Sequence, residues 1–291
     1  ITEPAENIVC ILAPNPSPMT FKGTNTYIID DGELAIIDPG PLNEEHFNNI
    51  LEVTAGRSVK YIFLTHSHVD HSPLAKQLSV ELNTPIYGYG ASDTGLSSTM
   101  LSLLDSGYHS GSEGIDYEFN PDYLIKNDEK FYLNNKTIFA IHTPGHMGNH
   151  VCFQYGKVLF SGDHVMGWAT SMVSPPYGDL TQFMASCRSL KTKEFDLFLP
   201  GHGDPVESPR ERLNFLINHR LERESQIKET IKNTPLTALE ITDIVYTDVD
   251  NSLIPAATRN VFAHLIDLSE RGLVEFHGKI SEKSKASLKF K

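Results

Sequence analysis

The chain has 291 residues, with 24 Lys+Arg against 37 Asp+Glu, a formal net charge of −13 and 13 histidines. Forty per cent hydrophobic and 21% charged residues supply enough apolar mass for a large core, which excludes wholesale disorder and collagen-like repeats, and the length gives a prior of two domains. The longest apolar runs, such as Leu34–Ile37, fall far short of the ~20 residues of a membrane-spanning helix, so no membrane is expected as a partner.

In chain order, Tyr27–Ile29 and Leu34–Ile37 flank Asp30-Asp31-Gly32, the pattern of a β-hairpin. Tyr61–Leu64 is a continuous apolar run of the kind a strand buried on both faces needs. Further strands are predicted at Phe131–Leu133, Thr137–Ile141, His150–Gln154, Lys157–Phe160 and Leu197–Leu199, and helices at Glu44–Thr54, Pro73–Leu82 and Leu180–Leu190. Strands with interspersed helices point to sheets packed inside helical layers. Residues 88–121 are rich in Gly, Ser and Asp, show no sustained period and read as a functional lid.

After Asp204-Pro205 the texture turns helical. Ser208-Pro209-Arg210-Glu211 has a capping Ser, Pro at the first helical position and Glu at the third. Leu213, Leu216, Ile217, Leu221, Ile227 and Ile231 follow at helical spacing, until Asn233 and Pro235 end the run. A second capping box, Thr237-Ala238-Leu239-Glu240, opens a short helix, and a third helix runs from about Pro255 to Glu270 and stops at Gly272. Leu273–His277, Gly278-Lys279 and Ile280–Phe290 suit a terminal β-hairpin. Three helices and a hairpin are the order of a winged helix, which divides the chain into domains 1–205 and 206–291.

Cys10, Cys152 and Cys187 are odd in number, widely spaced and free of any Cys-x-x-Cys pair, so three buried thiols in a reducing compartment are expected. The first residues lack the basic, apolar, small-residue order of a signal peptide, and a cytoplasmic location is the expectation.

The strongest chemical signal is Thr65-His66-Ser67-His68-Val69-Asp70-His71, directly after the buried run Tyr61–Leu64. Side chains two apart on an extended segment point the same way, so His66 and His68 can bind one metal, while Asp70 and His71 fall where the chain turns into the next helix and can aim at a second. Thr143-Pro144-Gly145-His146, Ser161-Gly162-Asp163 and Gly201-His202-Gly203 each put a His or Asp just beyond the end of another predicted strand. Alone each is weak; together they bring ligand-type residues to the ends of four strands.

These motifs, in this order, resemble the metallo-β-lactamase superfamily, and Thr24-Asn25-Thr26-Tyr27 with Ile37-Asp38-Pro39-Gly40 look like its opening hairpin. The resemblance covers about the first 205 residues. It implies an α+β fold, an αββα sandwich with two metals at one edge, followed here by a small, mostly helical winged-helix-like domain. Carried over by motif, His66, His68 and His146 would hold one metal and Asp70, His71 and His202 the other, with Asp163 bridging. Imidazoles and carboxylates in this mixture suit two divalent cations, zinc first, with iron or manganese fitting the mixed site. Two such cations share a hydroxide at neutral pH, which Asp70 can orient as the catalytic carboxylate. Asp38, His150, His164, Thr170 and Ser171 are candidates to orient ligands, donate a proton or hold a substrate anion. His46, His109, His219, His264 and His277 lie outside any motif and read as solvated or structural.

The C-terminal addition, with Gly162-Asp163-His164, Gly167-Trp168, Thr170-Ser171 and Ser174-Pro175-Pro176, looks like the branch containing the lactamase-β-like endoribonuclease and its bacterial relatives. His71 is followed by Ser72-Pro73-Leu74, where glycines are commoner in the superfamily. A diiron redox reading is disfavoured because His68 stands where such flavoproteins place a glutamate, and an iron-dependent sulfur dioxygenase would use one metal. Three functions stay open: a binuclear hydrolase of a small ester, thioester or amide, resembling glyoxalase II; a single-stranded RNA endonuclease with the same metal centre; and a DNA-binding regulator using the C-terminal domain. Residues 1–205 hold 11 Lys+Arg and 24 Asp+Glu, whereas residues 206–291 hold 13 of each, so the whole excess of −13 lies in the first domain. That charge repels a polyanion, and the five lysines from Lys279 to Lys291 are the only dense basic cluster. A small anionic substrate is therefore expected ahead of RNA.

Overall fold

The computed structural model describes residues 1–112, 114–134 and 136–289. Seven strands lie side by side in chain order: β1 (Thr2–Ala5), β2 (Ile8–Leu12), β3 (Asn25–Asp31), β4 (Glu33–Ile37), β5 (Val59–Phe63), β6 (Ile86–Gly88) and β7 (Tyr123–Leu124). The first four form an antiparallel meander, and from β4 onward the pairing is parallel. Parallel neighbours need crossovers, supplied by α1 (Glu44–Thr54), α2 (Leu74–Leu82) and the long segment holding α3 (Ser98–Asp105). The second sheet contains β8 (Lys130–Leu133), β9 (Lys136–His142), β10 (Val151–Tyr155), β11 (Val158–Gly162) and β12 (Leu197–Pro200) in the order β12-β11-β10-β9-β8. It is antiparallel except for β11 and β12, which run parallel across the helix α4 (Leu180–Lys191).

The two sheets face each other through Ile29, Ile37, Phe63, Phe131, Phe153 and Phe160, all buried. Full burial of one such side chain contributes about 1.5–3 kcal/mol, so this aromatic layer is a principal source of stability. On the outer face of the first sheet, Ile36 and Ile62 meet Ile50 of α1 and Leu78 of α2. On the outer face of the second, Cys152 and Phe198 meet Phe183 and Cys187 of α4. Helices therefore cover both outer faces and complete the expected αββα sandwich.

The C-terminal segment comprises α5 (Pro209–Thr230), α6 (Ala238–Val245) and α7 (Ile254–Glu270), then an antiparallel pair, β13 (Val274–Phe276) and β14 (Ala286–Leu288). The Thr237–Glu240 capping box forms with both reciprocal bonds, whereas Ser208 precedes α5 without a side-chain cap bond. The turn between β13 and β14 is longer than the one expected at Gly278-Lys279, because Ile280–Ser284 does not join the pairing; Phe290 and Lys291 of the predicted hairpin and lysine cluster lie outside the described residues. Cys10, Cys152 and Cys187 are buried and free. Among the described residues, no helix is long and apolar enough to cross a membrane.

The described residues of the 88–121 segment are more ordered than their composition implies. Ser97 caps α3 by accepting a bond from the Met100 backbone, and Met100 and Leu103 bury themselves among Ile227, Val261, Phe262 and Leu265 of the C-terminal helices. Eight residues are too few to show a sustained helical period, which is why α3 is hard to read from sequence. The insertion thus links the sandwich to the C-terminal helices. α5 does the same, with Leu213 and Leu216 in the core outside the second sheet and Ile227 in the C-terminal core.

Candidate metal centre

Strand direction explains why distant residues converge. β4 and β5 are parallel in one sheet, β11 and β12 are parallel in the other, and β9 runs the same way as β11, being two antiparallel steps from it. Asp38, His66, Asp163 and His202 follow the ends of β4, β5, β11 and β12, and His146 sits in the turn after β9. The two sheets are joined at this edge by Asn25 N–H to the Gly201 carbonyl (2.8 Å) and Val151 N–H to the Thr65 carbonyl (2.8 Å). The His66–His71 loop is closed by His71 and Ser72 N–H groups bonding to the His68 carbonyl, and the turn brings the His71 ring to 4.3 Å from that of His66 while its Nε2 faces His202.

Two clusters result: His66, His68, His146 and Asp163, and Asp70, His71 and His202, with the nominal ligand atoms of each within 4.8 Å of one another. Nitrogens face nitrogens: His66 Nε2 lies 2.9 Å and His146 Nε2 3.0 Å from His68 Nδ1, and His71 Nε2 lies 3.3 Å from His202 Nε2. Asp163 stands between the clusters, with Oδ2 3.7 Å from His146 Nε2 and 3.4 Å from His202 Nε2, and Oδ1 3.5 Å from His71 Nε2. Asp70 Oδ2 is 3.0 Å from His202 Nε2 and 3.5 Å from His71 Nε2.

The other ring nitrogens are tied back. His71 Nδ1 donates to Asp38 (2.9 Å), His146 Nδ1 to the Met172 carbonyl (2.7 Å) and His202 Nδ1 to the Gly23 carbonyl (3.0 Å). Thr65 donates its hydroxyl to Asp38, which leaves its oxygen to accept from His66 Nδ1 at 2.9 Å. Four histidines thereby commit Nδ1–H to an outer acceptor and direct Nε2 inward, the arrangement in which an imidazole, once its Nε2 proton is displaced, serves a cation. Gly201 has no room for a side chain: a Cβ there would lie 2.4 Å from Asp163 Oδ1 and 2.7 Å from His71 Cε1.

Electrostatics fit the same reading. Burial pushes His66 well below its ordinary pKa of 6.5, with neighbouring histidines adding to the effect, and holds His68 down at about 3. Burial opposes the charge on Asp70 and Asp163, yet His71 and His202 hold both carboxyls below the usual carboxylate range. The same carboxylates outweigh burial at His71 and His202 and raise both, His202 to about 10. Without a cation, positive charge at this site rests on protonated histidines. Divalent cations would replace those protons, and the acceptor-rich set, with a buried Asp163 Oδ1 lacking a hydrogen-bond partner, suits them.

The remaining candidates have different settings. Asp38 buttresses His71 and also accepts from the Thr65 backbone (2.7 Å), with its own backbone at φ 52. His150 is buried against Thr143, and His164 lies 3.5 Å from Cys187 Sγ; neither lines the cleft over the clusters. Ser171 spends its hydroxyl on the His164 carbonyl, and Thr170 likewise does not line the cleft. That cleft, of about 250 Å³, is walled instead by Ile115 of the insertion, Met172, Ser174, Tyr177 and Arg259. Ser174 was visible in sequence only as part of Ser174-Pro175-Pro176, and nothing local marked Arg259, which arrives from α7. The insertion runs beside the ligand loop, with Val69 N–H bonded to the Gly114 carbonyl and Asp116 N–H to the Ser67 carbonyl.

Residues 19–202 match the family model of the metallo-beta-lactamase superfamily. The chain belongs to that superfamily. Residues 237–283 match the beta-lactamase associated winged helix domain. Among curated relatives, a beta-lactamase-like protein 2 homolog of Drosophila melanogaster is 29% identical, covering 94% of this chain and 91% of its own. An atrochrysone carboxyl ACP thioesterase of Paecilomyces divaricatus is 28% identical over 92% of this chain and 82% of its own. Among solved structures, a beta-lactamase domain protein of Burkholderia ambifaria superposes with a TM-score of 0.81 at 21% identity, covering 99% of this chain and 93% of that one. A metallo-beta-lactamase family protein of Thermus thermophilus gives 0.76 at 21%, covering 98% and 99%. These likenesses cover the sandwich and the C-terminal helices together. The protein is a hydrolase of this superfamily, with a His/Asp cluster suited to divalent metal.

Proposed function

We propose that the protein is a binuclear metal-dependent hydrolase of small acyl substrates, with a thioester ahead of an ester or amide. The observation that carries the reading is the convergence of seven His and Asp side chains in two clusters, with four histidines tied back so that Nε2 faces inward. His66, His68 and His146 would hold one cation, Asp70, His71 and His202 the second, and Asp163 both. Such cations, zinc first, supply Lewis acidity toward a carbonyl oxygen and bring the pKa of a coordinated water near 7. Asp70, partly exposed in the cleft, is placed to accept a proton from an attacking water and to orient it. Ile115 and Met172 form an apolar part of the cleft wall. The thioesterase named among the relatives supports a thioester in first place.

The architecture weighs against the DNA-binding reading. In a helix-turn-helix unit the second helix enters the major groove. Here that helix is α7, and ten of its 17 residues, including every one from Val261 to Leu268, are buried. The concentration of negative charge in residues 1–205 weighs against a long polyanion such as RNA. The test is a panel of thioesters, lactones, β-lactams, phosphodiesters and RNA, assayed on protein of measured metal content. Chelator-sensitive thioester hydrolysis is expected; robust RNA cleavage lost in His68→Ala, without acyl hydrolysis, would replace this reading with the nuclease.

A further inference from the structure

We infer that Arg259 is the anion-binding residue of the cleft, and that the substrate carries a carboxylate or phosphate beside the acyl group to be cleaved. This rests on the hydrolase reading for the reacting group, but not for the anion. Arg259 lies in the second turn of α7, and it alone among the described cleft-lining residues is a Lys or Arg. Its Nε is buried without a hydrogen-bond partner, and among the described residues the guanidinium makes no ion pair. Of the acidic groups nearby, Asp70 and Asp163 are engaged with His71 and His202, and Glu282, which shares a second cavity with Arg259, forms no ion pair with it. Ser174 Oγ, in the same cleft, is likewise buried and unpartnered. An unpaired guanidinium beside a free hydroxyl offers the donors a carboxylate or phosphate accepts.

The insertion is shaped around this side chain. Gly111 adopts φ +77, and a Cβ on it would lie 2.9 Å from Arg259 Cδ and 2.1 Å from Ser174 Oγ. Arg259 also lines a second cavity, of about 390 Å³, walled by Leu239, Ile254, Pro255 and Thr258 with Glu282 and Lys283 at its edge. The residue therefore divides the metal cleft from a largely apolar cavity on the C-terminal domain. A substrate with its anion at Arg259 and its carbonyl at the metals has room for a further chain on the far side. The winged-helix segment thus serves as the specificity wall of the hydrolase.

The test uses two matched pairs of thioesters on the full-length, metal-loaded protein. One pair, glutaryl- and hexanoyl-pantetheine, places or omits a carboxylate on the acyl side. The other, acetyl-phosphopantetheine and acetyl-pantetheine, places or omits a phosphate on the thiol side. In the wild type, kcat/KM is expected to favour the anionic member of at least one pair by about tenfold or more, the range for a hydrogen bond to a charged group. Arg259→Met should collapse that ratio toward one and Arg259→Lys should retain part of it; Arg259→Gln is the polar control if Arg259→Met lowers the melting temperature. The pair that responds identifies carboxylate or phosphate. Calorimetric binding of non-hydrolysable thioether analogues of both anionic members reads the contact independently of turnover. An inert wild type that binds them in an Arg259-dependent way overturns the hydrolase reading and keeps the anion site. Active enzyme with the ratio and binding unchanged in Arg259→Met overturns the anion site.

Discussion

The edge of the sandwich and the helix-packed layer beneath it both bury histidines, and they do so in opposite ways. At the edge, His66, His71, His146 and His202 each secure Nδ1 on an oxygen and turn Nε2 inward toward another ligand-type atom. Beneath it, His150 bonds Thr143 through Nδ1 and leaves Nε2 unpartnered, His164 reaches only Cys187, and His264 has neither nitrogen bonded. Burial dominates at these three and holds them below 6.5, His164 at about 3, so they are neutral. At His71 and His202 the carboxylates win. Burial alone therefore says little about a histidine's role; what fixes the second nitrogen, and what the lone pair faces, decides it.

The comparison breaks most sharply at Asp163, the one carboxylate in contact with both clusters. Asp163→Ala should lower thioester kcat/KM roughly a hundred- to a thousandfold, the loss seen on removing a principal electrostatic group, together with metal content by elemental analysis. Asp38→Asn comes next. It weakens the acceptor of His71 Nδ1 and the Thr65 link to His66, so metal affinity by competitive chelation should fall about 10- to 100-fold, as for other residues that orient metal ligands. Gly201→Ala forces Asp163 and His71 apart and should cost on the order of tenfold in kcat with a near-native melting temperature; a loss confined to stability would show that the close approach serves packing alone.

The smallest effect belongs to the lower layer. His264→Leu should change kcat by no more than about twofold, since the residue touches no ligand. Its signature is acid stability. The folded-state pKa lies well below the 6.5 of an unfolded histidine, so stability is lost as pH falls below 6.5 and the unfolded chain takes the proton first. The drop in melting temperature between pH 7 and pH 5 should therefore be smaller in His264→Leu than in the wild type. An equal drop would place the acid sensitivity elsewhere, with His150 and His164 next in line.

The parts of this molecule legible in sequence are those whose cause is local. The clustered His and Asp residues could be read because they follow strand ends in short motifs, and strand direction then carries them to one edge. The hairpin of β3 and β4 and the capping box of α6 were legible for the same reason. β1, β2, β6 and β7 lie outside the strands expected from sequence; β6 and β7 have three and two residues, too short for a period to register. α3 was hidden among serines, and its apolar face makes sense only against helices more than 100 residues later. Thr170 and Ser171 are close to Asp163 in sequence, but Ser171 turns its hydroxyl to the His164 carbonyl and its carbonyl to Arg220. Arg259 and Ser174 wall the cleft instead, brought there by tertiary packing that no local pattern encodes.

Metal stoichiometry measured against thioester turnover on one preparation tests the central claim most directly. Chelator-treated protein should be inactive, and stepwise addition of zinc should restore hydrolysis up to a plateau at two equivalents per chain. Hydrolysis that persists in metal-free protein, or a plateau at one equivalent, would contradict the binuclear account.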